Sequence, residues 1–162
     1  MFDDQTLLTV PSSTARAANR TGPREGLLPN LLGYNLRLAQ VRVFQDFAGA
    51  MAEFGLTPGQ LGAMLLIEAR SGLSQSALAS ALGIDRSSAV PLIDGLQNRG
   101  LVRRSAHADD RRKHALALTA AGTALLERLK PQLDAHERRI ARRLSTAERA
   151  RLIESLGRVA RD

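Results

Sequence analysis

The sequence predicts a mainly α chain with a small β-hairpin, on three observations. Apolar residues recur at helical spacing over long stretches near both ends. Two shorter helical patterns lie between them, separated by about three residues, which is helix–turn–helix spacing. Directly after these come two short alternating runs joined by a basic loop, the pattern of a wing. With 162 residues, one domain is the prior and a sizeable core can be buried.

Residues 1–29 are rich in Ser, Thr, Pro, Arg and Gly and lack periodicity, so they read as a flexible N-terminal tail with a short ordered piece near Leu27 and Leu28. A long helix follows, from about Leu31 to Phe54. Leu32, Leu36, Ala39, Val43, Phe47, Ala50 and Phe54 form one stripe along it. Leu31, Tyr34, Leu38, Val41, Ala48 and Met51 form a second, broken stripe, so this helix needs cover on more than one side. In a chain this small the second cover is expected from another subunit, and residues 30–55 are read as an N-terminal dimerisation helix.

Residues 56–118 are expected to form the winged helix–turn–helix lobe. Thr57-Pro58-Gly59-Gln60 combines a cap, a proline at the first helical position and a capping-box glutamine. That helix should run to about Arg70. Ser74 caps a short helix through Leu82, Gly83 makes the turn, and Asp85 caps a helix ending near Arg99. Leu101 to Ser105 and His114 to Leu118 read as the two wing strands. Residues 119–162 are expected to be C-terminal dimerisation helices. Thr119 caps a long helix with Leu125, Leu129, Leu133, His136, Ile140 and Leu144 on one face, kinked at Pro131. Ser145 and Glu148 box the start of a last helix with Leu152, Leu156 and Val159 turned inward.

The net charge is +7, and two segments carry the excess. Residues 99–113 hold six basic residues against two acids, and residues 137–162 hold eight against four. Localised positive charge of this kind suggests a polyanion partner, with a solvated basic surface or a codon bias toward Arg as the alternative. Zero cysteines exclude disulfides, thiolate metal sites, Fe–S clusters and thiol redox sensing. The longest apolar run, Leu61 to Ile67, is far short of the ~20 residues that span a bilayer. Asp3 and Asp4 stand where a secretory signal needs basic residues, so a cytoplasmic protein with no membrane association is expected. No zincin, phosphate-loop or nucleophile-elbow motif occurs, so no enzyme and no cofactor are expected. His107, Asp109, Asp110 and His114 can approach one another in the wing, but a solvated hairpin explains them and no metal is expected.

The stretches Gly83-Ile84-Asp85-Arg86-Ser87-Ser88, Leu92-Ile93-Asp94-Gly95-Leu96 and Arg99-Gly100-Leu101-Val102-Arg103-Arg104, with Asp109-Asp110-Arg111-Arg112 leading to Leu118-Thr119 and Gly122, resemble the MarR family of winged helix–turn–helix regulators. The resemblance covers about Leu31 to Asp162. It implies a homodimer on a palindromic double-stranded DNA operator, acting as a repressor released by a small aromatic ligand. The run Leu32-Gly33-Tyr34-Asn35-Leu36-Arg37 with Val43-Phe44 is similar to the branch governing hydroxycinnamate and aromatic-acid catabolism, which implies an aromatic acid or its acyl-CoA thioester as effector.

The helical wheel of 85–99 turns Ala89, Leu92, Ile93 and Leu96 inward. A recognition helix reads bases with its first turns, which leaves Arg86, Ser87, Ser88, Val90 and Pro91 as DNA contacts. Arg86 suits a guanine edge, and Val90 or Pro91 a thymine methyl. Capping is the alternative reading for Ser87 and Ser88. Ser74, Gln75 and Ser76 open the preceding helix, where amides and hydroxyls can hold a phosphate; capping explains Ser74 equally well. By its place in the family motif Arg112 enters the minor groove, Asp110 shapes the wing turn, and Arg111 and Lys113 meet phosphates. The resemblance also implies that Asp94 pairs with a wing arginine and fixes the wing.

Four of the five aromatic residues, Tyr34, Phe44, Phe47 and Phe54, lie on the first long helix. Either they fill the dimer core or they line an effector pocket at its junction with the DNA-binding lobe. On the second reading Met51 and Met64 adapt to a ring, Arg37 and Arg42 hold a carboxylate or phosphate, and Tyr34 or Asn35 a phenolic hydroxyl. The cluster Arg138, Arg139, Arg142, Arg143, Arg149 and Arg151 is read as the outer face of a dimerisation helix, with phosphates or an anionic effector as alternatives. The rival to a ligand-responsive regulator is a non-sensing architectural DNA-binding protein.

Overall fold

A computed structural model describes residues 26–106 and 114–160. The chain opens with a 3-10 turn at Leu28–Asn30, then α1 at Leu32–Ala50. The turn is fastened to α1 by the Asn35 amide, which donates to the carbonyls of Pro29 at 2.9 Å and Leu31 at 2.8 Å. The expected helix to Phe54 is broken. Met51 leaves helical geometry, a 3-10 turn spans Ala52–Phe54, and Gly55 follows in the left-handed region with φ +57°.

Helix α2, Pro58–Ala69, starts with the predicted box: Gln60 N donates to Thr57 Oγ1, and Thr57 N donates to Gln60 Oε1. Strand β1, Leu73–Ser74, precedes α3, Gln75–Leu82, which Ser74 caps by accepting from Ala77 N. Gly83, with φ +66°, turns the chain toward α4, Arg86–Asn98. Strands β2, Val102–Ala106, and β3, His114–Leu118, form the wing ladder, with Arg104 opposite Leu116. Two strands were expected, but the sheet has three, ordered β1-β3-β2 and antiparallel, because Leu73 also pairs with Leu116. Helix α5, Ala120–Ile140, continues through the exposed Pro131 and ends short of Leu144. Helix α6, Thr146–Val159, has its Ser145–Glu148 box formed.

The core is built around α2, whose Ala63 and Met64 are fully buried between α3, α4, β3 and α5. Leu78, Ala89, Ile93, Leu96, Val102, Leu116, Leu126 and Leu129 belong to it, as do Phe47, Met51 and Phe54 from α1 and the turn after it. The start of α5 lies against the end of α4. Thr119 Oγ1 donates to Gly100 O at 2.6 Å and accepts from Gly122 N at 3.0 Å, and a Cβ on Gly122 would stand 2.1 Å from Leu101 O. That contact gives the Leu118-Thr119-x-x-Gly122 pattern a steric cause.

The apolar surface left open is not scattered. Among the described residues fourteen large hydrophobics are exposed. Eight lie between Leu27 and Phe44, five between Leu144 and Val159, and the last is Val90 on α4. Leu152, Leu156 and Val159, expected to turn inward, are instead 47%, 38% and 55% exposed. Among the described residues no other helix or strand packs closely on α6. Among the described residues no helix is long and apolar enough to cross a membrane.

Candidate nucleic-acid interface

The front of α4 is organised by one carboxylate. Asp85 accepts from the Ser87 hydroxyl at 2.5 Å, from Ser88 N at 2.7 Å and from the Ser88 hydroxyl at 3.0 Å. These bonds, led by that from Ser87, hold its pKa down from 3.8 to about 2. Both serine protons are thus committed to the cap, while their oxygens remain free to accept. Arg86, Ser87, Ser88, Val90 and Pro91 are all exposed, and Ala89, Ile93 and Leu96 are buried, with Leu92 half-buried, so the wheel divides as the spacing predicts.

The wing root is held by a residue to which the sequence reading gave no role. Arg104 on β2 donates to Asp94 Oδ1 at 2.5 Å and to Gln97 Oε1 at 2.8 Å, both on α4. Gln75, with its amide oxygen turned toward the same guanidinium, accepts from Nε at 2.6 Å and Nη2 at 2.8 Å. Asp94 therefore braces the wing through Arg104, and Gln75 is directed to that brace. The signal was present in the alternation: Arg104 lies two residues from the buried Val102, on the same strand face. Ser74 and Ser76 stand with their hydroxyls 3.1 Å apart at the start of α3. Asp110, Arg111, Arg112 and Lys113, with His107 and Asp109 of the metal reading, lie outside the described residues. Among the described residues no group of His, Cys, Asp and Glu is placed to hold a metal.

The residues named for an effector do not gather around one cavity. Phe47, Met51 and Met64 are packed in the core at 8%, 1% and 0% exposure. Tyr34 is half-buried, Arg37 and Phe44 are exposed, and the Asn35 amide is engaged locally. Among the described residues Arg42 lines an open cleft of about 680 Å³ between α1 and α5, shared with Gln45, Asp46, Gly49, Gln132 and Arg139. Across it Asp46 accepts from Arg139 at 2.9 Å and bonds Nδ1 of the buried His136 at 2.7 Å. The Arg139 guanidinium, then the His136 ring, hold the Asp46 pKa at about 2. An adjoining cleft of about 280 Å³ adds Arg142 and Arg143 to the wall.

A capped recognition helix, a wing fastened to it and apolar helices at both ends define a winged helix–turn–helix DNA-binding protein. The sequence model of the MarR family matches residues 54–113. A protein of Thauera aromatica described as a putative transcriptional regulatory protein for hcr operon is 38% identical over 137 residues, covering 84% of this chain and 82% of its own. The transcriptional repressor CouR, solved bound to a 23-mer DNA duplex, is 42% identical with a TM-score of 0.79, covering 84% of this chain and 96% of its own. CouR bound to p-coumaroyl-CoA is 39% identical with a TM-score of 0.77, over 87% and 99% of the two chains. The chain belongs to the MarR family of transcriptional regulators.

Proposed function

We propose that the protein is a homodimeric repressor of a palindromic operator, released by a small aromatic acid or its acyl-CoA thioester. The observation that carries this is the placement of exposed large apolar side chains: among the described residues thirteen of the fourteen sit on the two terminal segments, and the fourteenth is Val90 on the reading helix. On this reading residues 30–55 and 119–162 clasp a second copy, and residues 56–118 face the duplex. The two copies of α4 then lie about one helical turn of DNA apart, ~34 Å. Arg86, Ser87, Ser88, Val90 and Pro91 meet base edges, and Ser74 and Ser76 a phosphate. The wing tip adds Arg112 in the minor groove and Arg111 and Lys113 on phosphates, with Asp110 shaping the turn.

The effector reading draws support from the CouR complex with p-coumaroyl-CoA and from the arginines of the α1–α5 clefts. Arg42 and Arg139 hold a carboxylate or phosphate there. Parting of Phe47, Met51 and Met64 admits the ring, a displacement that flexible methionines tolerate. To empty the operator the ligand must favour the non-binding arrangement by a few kcal/mol, about 5.5 for a full switch.

Selection of bound DNA from a random pool, followed by titration with p-coumarate and p-coumaroyl-CoA, tests the proposal. A symmetric site released by either compound supports it. Tight binding unaffected by aromatic acids and thioesters points to the architectural alternative.

A further inference from the structure

Arg99 ends α4, and its guanidinium reaches back across the lobe. Nη1 donates to Gly55 O at 2.6 Å and Nη2 to Phe54 O at 2.7 Å, acceptors 44 and 45 residues away in sequence. Both carbonyls belong to the connection between α1 and α2, where Gly55 holds φ +57°. Helix ends leave such carbonyls without intrahelical partners, and the planar fork of an arginine serves two acceptors in a fixed relation. Upstream, the chain of bonds continues: Phe54 N donates to Met51 O at 3.1 Å, and Met51 N to Phe47 O at 2.9 Å. A line of hydrogen bonds therefore runs from Phe47 and Met51, through the 3-10 turn, to Arg99 at the C-cap of the reading helix. Among the described residues no other side-chain hydrogen bond joins α4 to this connection.

We propose that Arg99 is a positioning residue, a strut that couples the end of the dimerisation helix α1 to the angle of the recognition helix α4. The inference rests on the dimeric, ligand-responsive reading above. When the packing of Phe47 and Met51 shifts, the Phe54 and Gly55 carbonyls shift with it, and Arg99 carries that motion to α4. A lysine at this place offers a single point donor and a methionine offers none, so coupling should fall in that order.

The chain holds no cysteine, so a single one introduced at the exposed Ala81 of α3 allows spin labels on the two lobes of the full-length dimer. Distances between the labels are then measured with and without p-coumaroyl-CoA in Arg99, Arg99→Lys and Arg99→Met proteins. The expected result is a narrow distribution that moves with ligand in the parent, a broadened one in Arg99→Lys, and a broad, ligand-insensitive one in Arg99→Met. Affinity for the selected DNA should fall about tenfold in Arg99→Met with the dimer intact. An Arg99→Met dimer as narrow and as responsive as the parent overturns the strut. A parent that does not respond to the thioester overturns the choice of effector instead, and the breadth of the ligand-free distributions still decides on Arg99. If Arg99→Met does not fold, the comparison of Arg99→Lys with the parent decides it.

Discussion

Single residues explain the starts of α2 to α6 and one steric constraint. Gly122 has no room for a methyl, since its Cβ would meet the backbone oxygen of Leu101 rather than a movable side chain. Gly122→Ala should cost about 3 kcal/mol, visible as a fall in Tm; an unchanged Tm would show that α5 can lift from Leu101 without penalty. Asp85 titrates at about 2 instead of 3.8 because its bonds favour the ionised form. The depressed value fixes the sign: the cap contributes fully above pH 3.8 and is lost as pH falls through about 2. The Asp85 carboxyl carbon, followed by NMR, should inflect near pH 2, with the Ser88 amide losing protection at the same point; an inflection near pH 3.8 would remove the cap. Asp46 should follow the same course, loosening α1 from α5. Caps of this kind were legible in the sequence because their chemistry is complete within four residues. The reach of Arg99 to the α1–α2 connection was not, since its partners lie on another element, and for Arg104 the alternation places the side chain but does not name Gln97 and Gln75 as partners.

At the scale of elements, the wing and the reading helix act as one unit through Arg104. Its bonds reach Asp94 and Gln97 on α4 and, by its amide oxygen, Gln75 on α3. Asp94→Ala should weaken operator binding about three- to tenfold and raise wing mobility in NMR relaxation. Unaltered affinity together with an unaltered wing would leave the brace without a role. The helix–turn–helix and both wing strands follow from spacing and alternation, but β1 does not. Two residues carry no periodicity, and Leu73 becomes a strand only because Leu116 offers it an edge. Likewise, local pattern leaves Met64 open between core filling and a pocket wall; its complete burial is a property of how α2 packs, which that pattern does not contain.

Across the whole molecule, the apolar ends and the basic lobe require each other. On the proposed reading a second copy covers Leu152, Ile153, Leu156 and the face of α1, all exposed on the single chain, and sets two reading helices on one duplex. Ile153→Glu should shift the protein toward monomer with its helical content kept, and operator affinity should fall more than the loss of any one base contact explains. Phosphate contacts predict a steep salt dependence, with log K falling about 0.9 per contact for each tenfold rise in salt, and a slope near zero would deny them. These ends were legible as apolar stripes, but which side of each helix the chain covers itself and which it leaves open depends on packing. Leu152, Leu156 and Val159 are accordingly exposed on the single chain, and on the proposed reading they turn inward only in the dimer.

Analytical ultracentrifugation of the full chain at micromolar concentration, alone and with its selected DNA, addresses the central claim most directly. A two-chain species that binds one symmetric duplex is the result predicted. A single-chain species, or a complex of one chain on an asymmetric site, would contradict it.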